Sequence, residues 1–322
     1  MKAEINLQTK LYELNDNLME LINLYEKRKL SNKILITGNK GIGKSTLVYH
    51  FINYIFSKEE DHSYDLKNNS IRPENRSFKL FQNNSHPNIY NIRILDDKKN
   101  IEINQIREMI NYANKSSFND KPRFVIINNV EELNTNSLNA LLKIVEEPNE
   151  NLFFILIHNN NKSIQNTLKS RCIMFKIKLS FEQSISISSK ILNINIYDIL
   201  NEELINYYST PGEFINLINF SNKYKIDLKK KTLKELLLII INENYYNKDK
   251  FIKNYISNLI QYYFLKMPYS NKSKEIDLLY NKFIQMYFNC NKYNLNYENW
   301  TNNKRKIRDN PTFRRRWNVL CL

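Results

Sequence analysis

Cysteine and long apolar runs are both scarce in this chain of 322 residues. Cys172, Cys290 and Cys321 are widely spaced and odd in number, which argues against a disulfide scaffold or a zinc site built from cysteine alone and indicates a reducing cytoplasm. The longest apolar run, residues 236–241, is far too short to span a bilayer. The first residues lead into no apolar segment of the kind that a signal peptide requires. A cytoplasmic protein without a membrane partner is therefore expected.

Glycine is scarce too, and its placement is informative. The chain has four glycines, and three of them, Gly38, Gly41 and Gly43, lie close together. They fit the phosphate-loop pattern of glycine, four residues, then Gly-Lys-Ser. An apolar segment before them, residues 33–37, predicts a buried strand, and residues 47–56 predict a helix. A chance match is the alternative, but it would need three glycines in register in a chain that has almost none.

A phosphate loop predicts a nucleotide site, because its glycines let backbone amides curl around a phosphate and the following helix adds positive potential. We expect Lys44 to reach the outer phosphates and the hydroxyl of Ser45 to meet a magnesium ion. The expected ligand is ATP or ADP with Mg²⁺, and the motif alone does not establish hydrolysis. The candidate phosphate-binding residues are Gly38, Gly41, Gly43, Lys44, Ser45 and Thr46.

Basic residues outnumber acidic ones by 48 to 33, a net charge of +15. Such a charge indicates contact with nucleic acid or another polyanion. The abundance of Asn, Ile, Lys and Tyr is also typical of an AT-rich genome, which raises lysine without a functional cause. Residues 304–316 are strongly basic and are either a polyanion contact or a solvated tail.

The hydrophobic pattern predicts an α/β domain followed by helices. Alternating strands and helices after a phosphate loop indicate a parallel sheet covered on both faces, with its ligand beyond the carboxyl ends of the strands. From about residue 181 the strand signal stops. The predicted domains are 1–180, nucleotide-binding; 181–222, small and helical; and 223–322, helical with a basic tail. The predicted strands are residues 33–37, 89–94, 123–128, 152–157 and 172–177.

Three further segments receive specific predictions. Residues 5–30 carry leucine and isoleucine at helical spacing and predict one helix. Residues 57–86 are polar and without a clear period, which predicts an irregular, mobile insertion. Asn134 is expected to cap the helix that Pro148 ends.

The strand at 123–128 ends in Asn128 and Asn129, where a hydrolysing enzyme of this type places an acid that holds magnesium and often a second that activates water. An amide is neutral and cannot accept a proton from water. These positions therefore predict damaged hydrolysis. Glu131 and Glu132 would substitute if the register shifted by three residues; the alternative is that they are helix-start carboxylates near a positive dipole end.

Arg171 lies just before the last predicted strand. An arginine on a rigid element at a domain edge can enter a neighbouring molecule's nucleotide site and stabilise charge on the transferring phosphate. From its chemistry alone, an ordinary surface arginine is the preferred interpretation.

Four motifs in order resemble the clamp-loader branch of the AAA+ ATPases. They are the phosphate loop, the string HPN at 86–88, the string NALLKIVEEP at 139–148 and the string SRC at 170–172. Within that branch the chain is most similar to the delta-prime subunits of bacterial DNA polymerase III. The similarity is strong over about residues 30–180 and weak beyond them.

The resemblance implies an AAA+ sheet domain, a helical lid and a collar that assembles a hetero-pentamer with delta and gamma/tau subunits, acting on the sliding clamp and primed DNA in a nucleoid-associated replisome. It implies that Arg171 is an arginine finger acting in trans, positioned by Ser170 and Cys172. Glu213 stands where active subunits carry a nucleotide-sensing cation. Relatives often hold zinc within 57–86, where this chain has no cysteine, so no zinc is expected.

Three functions follow from these observations. The first is a stator subunit of a clamp loader that does not hydrolyse ATP by itself, although it belongs to a DNA polymerase holoenzyme. The second is a hydrolysing motor subunit, similar to gamma/tau or to the small subunits of eukaryotic replication factor C. The third is a stand-alone DNA-binding protein with a phosphate loop, for which isolated-chain binding to DNA would be tight and strongly salt-dependent.

Overall fold

The computed structural model describes residues 8–95, 98–115, 119–149, 151–206 and 209–266. The basic tail therefore lies outside the described residues. The strands are β1 (Lys33–Gly38), β2 (Ile89–Ile92), β3 (Arg123–Asn128), β4 (Leu152–Asn159) and β5 (Ile173–Lys176). The helices are α1 (Asn15–Glu26), α2 (Lys44–Ser57), α3 (Arg76–Gln82), α4 (Ile103–Asn114), α5 (Thr135–Glu146), α6 (Asn166–Lys169), α7 (Phe181–Leu192), α8 (Ile196–Ile199), α9 (Glu202–Ile205), α10 (Pro211–Tyr224), α11 (Leu233–Asn242), α12 (Tyr245–Lys248) and α13 (Lys250–Lys266).

The five strands form one parallel sheet in the order β2-β3-β4-β1-β5. The central strands are nearly continuous apolar runs because both faces of a parallel sheet are covered by helices. Alternate side chains of β1 face opposite ways: Ile34 and Ile36 pack in one cluster with Phe51 of α2, whereas Leu35 packs in another with Leu141 of α5. The α/β fold class predicted from the sequence is confirmed.

The amino-terminal segment differs from the prediction of one helix over residues 5–30. The helix begins only at Asn15, and residues 9–11 run beside the insertion instead. The amide of Leu11 donates to the carbonyl of Asn69 (2.9 Å), and the amide of Ile71 donates to the carbonyl of Thr9 (2.8 Å). Leu11 is buried in the core cluster that covers one face of the sheet, so its apolar character reflects tertiary packing and not helix periodicity.

The insertion at residues 57–86 is built and packed, so the prediction of an irregular, mobile segment is wrong. Tyr64 and Ile71 are buried in the same core cluster as α2, and α3 adds Phe78 and Phe81. The hydroxyl of Tyr64 lies 2.8 Å from Nδ1 of His50. Scattered aromatic residues hold this segment, which a search for a helical or strand period does not detect.

Contacts divide the chain into two units, one of Met1–Asn193 with Ser209–Ile215 and one of Ile194–Tyr208 with Asn216–Leu322. In the second unit, the described part is helical and includes Leu236 and Ile240 of α11 and Ile252 of α13 among its buried residues. The three-domain division at 180 and 222 stays a prediction. Among the described residues, no helix has the length and apolar character needed to cross a bilayer.

Candidate nucleotide site and arginine loop

The phosphate loop joins β1 to α2, the arrangement that such a loop requires. Gly41 and Gly43 have φ angles of +88° and +91°, a region that residues with a side chain rarely adopt. A Cβ added to Gly38 would lie 2.5 Å from the carbonyl oxygen of Ile177, so the end of β1 also requires glycine. The loop's own φ angles thus explain Gly41 and Gly43, and the close approach of Ile177 explains Gly38.

Lys44 is turned back onto the loop that precedes it. Its side-chain nitrogen donates to the carbonyl oxygens of Gly38 (2.8 Å) and Asn39 (2.6 Å), and the residue is only 4% exposed. Burial lowers the pKa of Lys44 to about 8, against the opposing attraction of Glu131. To bind a phosphate, the amine must exchange these carbonyl oxygens for phosphate oxygens.

Residues 210–213 pack directly against the phosphate loop. The amide of Gly212 donates to the carbonyl of Gly41 (3.0 Å), and the hydroxyl of Thr210 donates to the carbonyl of Lys40 (2.9 Å). The Glu213 carboxylate accepts from the amide of Thr210 (2.8 Å), and burial raises the pKa of Glu213. Glu213 thus caps the start of its own helix, α10, and contributes no cation to the loop.

Asn128 is adjacent to the phosphate loop, at the carboxyl end of β3. Its Oδ1 accepts a hydrogen bond from the hydroxyl of Ser45 (3.0 Å). Its Nδ2 donates to Oδ1 of Asn91 (2.8 Å) and to the carbonyl of Ile92 (3.3 Å). The amide uses both its acceptor and its donors, which a carboxylate at this position could not do.

Asn129 and the two glutamates after it form a tight turn. Asn129 has a φ of +59° and starts a 3₁₀ turn over Val130–Glu132. Oε1 and Oε2 of Glu131 accept from the side-chain and backbone amides of Asn159 (3.0 and 3.1 Å). Glu132 pairs with Lys162. Glu131 therefore lies at the site without a shift of register, and Asn159 fixes it there.

Asn91 and Asn159 were missed by the sequence analysis. Both lie on sheet strands, β2 and β4, near the edge where the phosphate loop and Asn128 meet. Because parallel strands place their carboxyl ends at one edge, polar residues at the ends of predicted strands are the signal that could have identified them.

Arg171 lies in the turn between α6 and β5, about one-third exposed. Its Nε donates to Oε1 of Glu146 (2.9 Å), its Nη2 forms an ion pair with the same oxygen (2.6 Å), and its Nη1 donates to the carbonyl of Thr167 (2.8 Å). Glu146 ends α5, so the strings EEP and SRC are joined by a direct ion pair.

The two neighbours of Arg171 shape its turn. Ser170 is the C-cap residue of α6, and its hydroxyl donates to the carbonyl of Thr167 (3.2 Å). Cys172 packs against the apolar cluster on one face of the sheet, and burial raises the pKa of its thiol to about 11. A thiol held neutral in this way contributes packing, not a reactive thiolate.

Within the described ranges, no three or more His, Cys, Asp and Glu side chains are grouped so as to hold a metal ion. The expected absence of zinc stays a prediction, as does the magnesium expected beside Ser45.

Comparison with known proteins gives a family match over residues 14–180, to the family described as DNA polymerase III, delta subunit. DNA polymerase III subunit delta' from Buchnera aphidicola subsp. Schizaphis graminum is 28% identical over 172 residues, which cover 51% of this chain and 48% of that protein. The protein of the same name from Buchnera aphidicola subsp. Acyrthosiphon pisum is 25% identical over 269 residues, 80% of each chain. That from Bacillus subtilis is 27% identical over 163 residues, 50% of this chain and 46% of its own.

Among solved structures, a DNA polymerase III, gamma subunit-related protein from Thermotoga maritima overlaps 80% of this chain and 96% of its own. The identity is 15% and the TM-score 0.39. Because this TM-score is low, the fold is assigned from the order of the strands in the sheet of this chain and not from the similarity to that structure.

Proposed function

Because the chain belongs to the family described as DNA polymerase III, delta subunit, we propose that it is a delta-prime-type subunit of a clamp loader. In this role it assembles with delta and gamma/tau-type subunits and helps place a ring-shaped sliding clamp on primed DNA. The proposal extends to the whole chain what the family match covers over residues 14–180.

The contact between Ser45 and Asn128 carries the part of the proposal that concerns hydrolysis. The hydroxyl expected to hold magnesium instead donates to a neutral amide at 3.0 Å. An amide provides neither the charge that holds Mg²⁺ nor a base for the attacking water. The chain therefore does not hydrolyse ATP by itself.

Nucleotide binding without turnover is compatible with this site. The loop glycines, Lys44, Ser45 and Thr46 would hold the phosphates of ATP or ADP, and Mg²⁺ would meet the hydroxyl of Ser45 once that hydroxyl no longer donates to Asn128. Binding would require Lys44 to leave the carbonyl oxygens of Gly38 and Asn39.

Arg171 acts in trans in this proposal, as the arginine finger of a neighbouring subunit's ATP site. Its partial exposure leaves the guanidinium accessible. The turn just before β5 fixes the position of its backbone. The N–H groups that are not engaged with Glu146 and Thr167 remain for a phosphate, since a guanidinium has five.

ATP hydrolysis by the isolated chain is the direct test of this site. We expect no magnesium-dependent turnover above that of Lys44→Ala. Turnover that Lys44→Ala abolishes would contradict the proposal and favour the hydrolysing motor, with Glu131 as its acid. One arrangement supports that second function: Glu131 follows the carboxyl end of β3 and is held by two hydrogen bonds from Asn159, and its charge opposes the burial that lowers the pKa of Lys44.

DNA binding by the isolated chain separates the remaining alternative. A stand-alone DNA-binding protein would bind duplex tightly, with affinity falling steeply as salt rises. The clamp-loader proposal predicts weak binding by the chain alone and tight binding only by the assembled complex.

A further inference from the structure

We infer that Glu146 is a positioning residue for Arg171, holding its guanidinium in the orientation in which it meets a neighbouring subunit's nucleotide. This inference rests on the proposed trans-acting role of Arg171. It gives a function to the first glutamate of the string EEP, which the proposed function leaves unassigned.

The geometry of the pair supports orientation. Nε and Nη2 of Arg171 both lie within hydrogen-bonding distance of one carboxylate oxygen, Oε1 of Glu146 (2.9 and 2.6 Å). This contact uses the side edge of the guanidinium, and Nη1 is fixed separately by the carbonyl of Thr167 (2.8 Å). Anchors on both sides set the plane of the group while the remaining N–H groups stay available for phosphate oxygens.

The backbone that carries Glu146 is itself tied to the sheet. Its carbonyl accepts a hydrogen bond from the side chain of Lys33 (3.1 Å), the first residue of β1. β1 pairs directly with β5, with Ile34 opposite Ile173, and β5 begins two residues after Arg171. Glu146 is therefore attached to β1, and Arg171 lies next to β5. Because these two strands pair directly, the movement of the two residues relative to each other is limited.

The same pair contributes little to folding. Its side chains are 35% and 50% exposed, and an ion pair this exposed adds little to stability. A long arginine side chain has many rotamers, however, and an anchor that restricts them prepares it for a phosphate. The contact is accordingly expected to influence catalysis in the neighbour far more than stability in this chain.

The test uses the reconstituted complex with the ATP-hydrolysing subunit, the clamp and primed DNA. Glu146→Gln keeps the shape of the side chain and removes its charge; Glu147→Gln changes the adjacent, exposed C-cap residue of α5 and is the matched control. We expect Glu146→Gln to lower kcat about tenfold with an unchanged KM for ATP, Glu147→Gln to stay within about twofold, and neither to change the thermal unfolding midpoint.

The double variant Glu146→Gln/Arg171→Ala tests whether Glu146 acts through Arg171. If Glu146 works through Arg171, Glu146→Gln has no further effect once Arg171 is alanine. The same loss in both backgrounds, or no loss in the wild-type background, would overturn the inference. If Arg171→Ala itself has no effect, the trans-acting arginine fails and this inference fails with it, a result distinguishable from failure of Glu146 alone.

Discussion

At the scale of single residues, the site is defined by amides where acids would be expected. Asn128 joins Ser45 to Asn91 by accepting on one side and donating on the other. Asn159 holds the carboxylate of Glu131 by donating to it from its backbone amide and from its side-chain amide. These contacts pair the amides of Asn91, Asn128 and Asn159 with partners in the protein itself.

Restoring an acid at position 128 is expected to damage this network. In Asn128→Asp, the carboxylate can still accept from Ser45 but faces the oxygens of Asn91 and Ile92 without a proton to donate. We predict a loss of about 1–3 kcal/mol in the free energy of unfolding, measured by urea denaturation, and no gain of ATP hydrolysis.

The double variant Asn128→Asp/Asn129→Glu is the companion measurement, since it supplies both missing acids. An Asn128→Asp chain that hydrolyses ATP, or that is as stable as wild type, would contradict this account of the amides.

The buried amine of Lys44 predicts a specific pH dependence of stability. Its pKa is about 8 when folded, against the usual 10.5, so between these values the unfolded chain binds a proton that the folded chain does not. Stability conferred by this residue therefore rises with pH from about 8 to 10.5 and is constant below. The expected gain relative to Lys44→Met is about 3 kcal/mol.

Chemical denaturation at several pH values, with wild type and Lys44→Met compared at each, measures this difference. Taking the difference removes the opposing effect of partly buried tyrosines such as Tyr112, whose pKa burial raises to about 12. A difference that is flat, or that falls as pH rises, would show that Lys44 is not buried as described.

The sequence predicts some of these residues and not others. The strand ending at Asn128 is readable as an apolar run, so its neutral end next to the phosphate loop is predictable. The contact of Glu131 with Asn159 is not predictable, because it depends on how β3 and β4 align. The two residues lie 28 positions apart in the chain. The pairing of Arg171 with Glu146, 25 positions apart, likewise cannot be predicted from the spacing of residues in the sequence.

At the scale of elements, the insertion at residues 57–86 is held by packing and by the hydrogen bonds of one buried side chain, Asn75. Asn75 is 1% exposed and caps α3 by accepting from the amide of Phe78 (2.7 Å). It also accepts from Nδ2 of Asn53 (3.1 Å) and donates to the carbonyl of His62 (2.9 Å). One side chain thus joins α3, α2 and the loop between them.

Asn75→Ala is therefore expected to destabilise the chain by about 2–4 kcal/mol, because a helix cap and two buried hydrogen bonds are lost together. Asn83→Ala, at the exposed C-cap of the same helix, is the control and should change the free energy of unfolding by no more than about 0.5 kcal/mol. Equal effects of the two substitutions in thermal or urea unfolding would show that the insertion is not held through Asn75.

Elements were predictable where one pattern dominated. β3 has the predicted bounds, and Asn134 caps α5 as expected, accepting from the amide of Ser137 (2.8 Å). The segment before α1 was misread because Leu11 and Leu14 belong to the core through tertiary contacts, and their spacing happens to match a helix. Periodicity reports burial and does not identify the partner that buries a residue.

At the scale of the whole molecule, the α/β class followed from alternating strand and helix signals. The sheet order was not predicted, because parallel strands that are not adjacent in sequence pair through crossovers that hydrophobicity does not specify. The assignment of residues 209–215 to the same unit as the phosphate loop was likewise unpredictable, since it arises from contacts such as Gly212 with Gly41. Family membership and the partly exposed Arg171 are the two observations that favour a role in an assembly.

The central claim is that this chain acts on ATP in a neighbour and not in its own site. The most direct measurement is steady-state ATP hydrolysis by the reconstituted complex with primed DNA, comparing wild type, Arg171→Ala and the control Lys178→Ala, an exposed cation seven positions further along the chain. We predict a loss of about 10³-fold or more for Arg171→Ala and none for Lys178→Ala, with both complexes fully assembled. Equal turnover by the wild-type and Arg171→Ala complexes would contradict the claim.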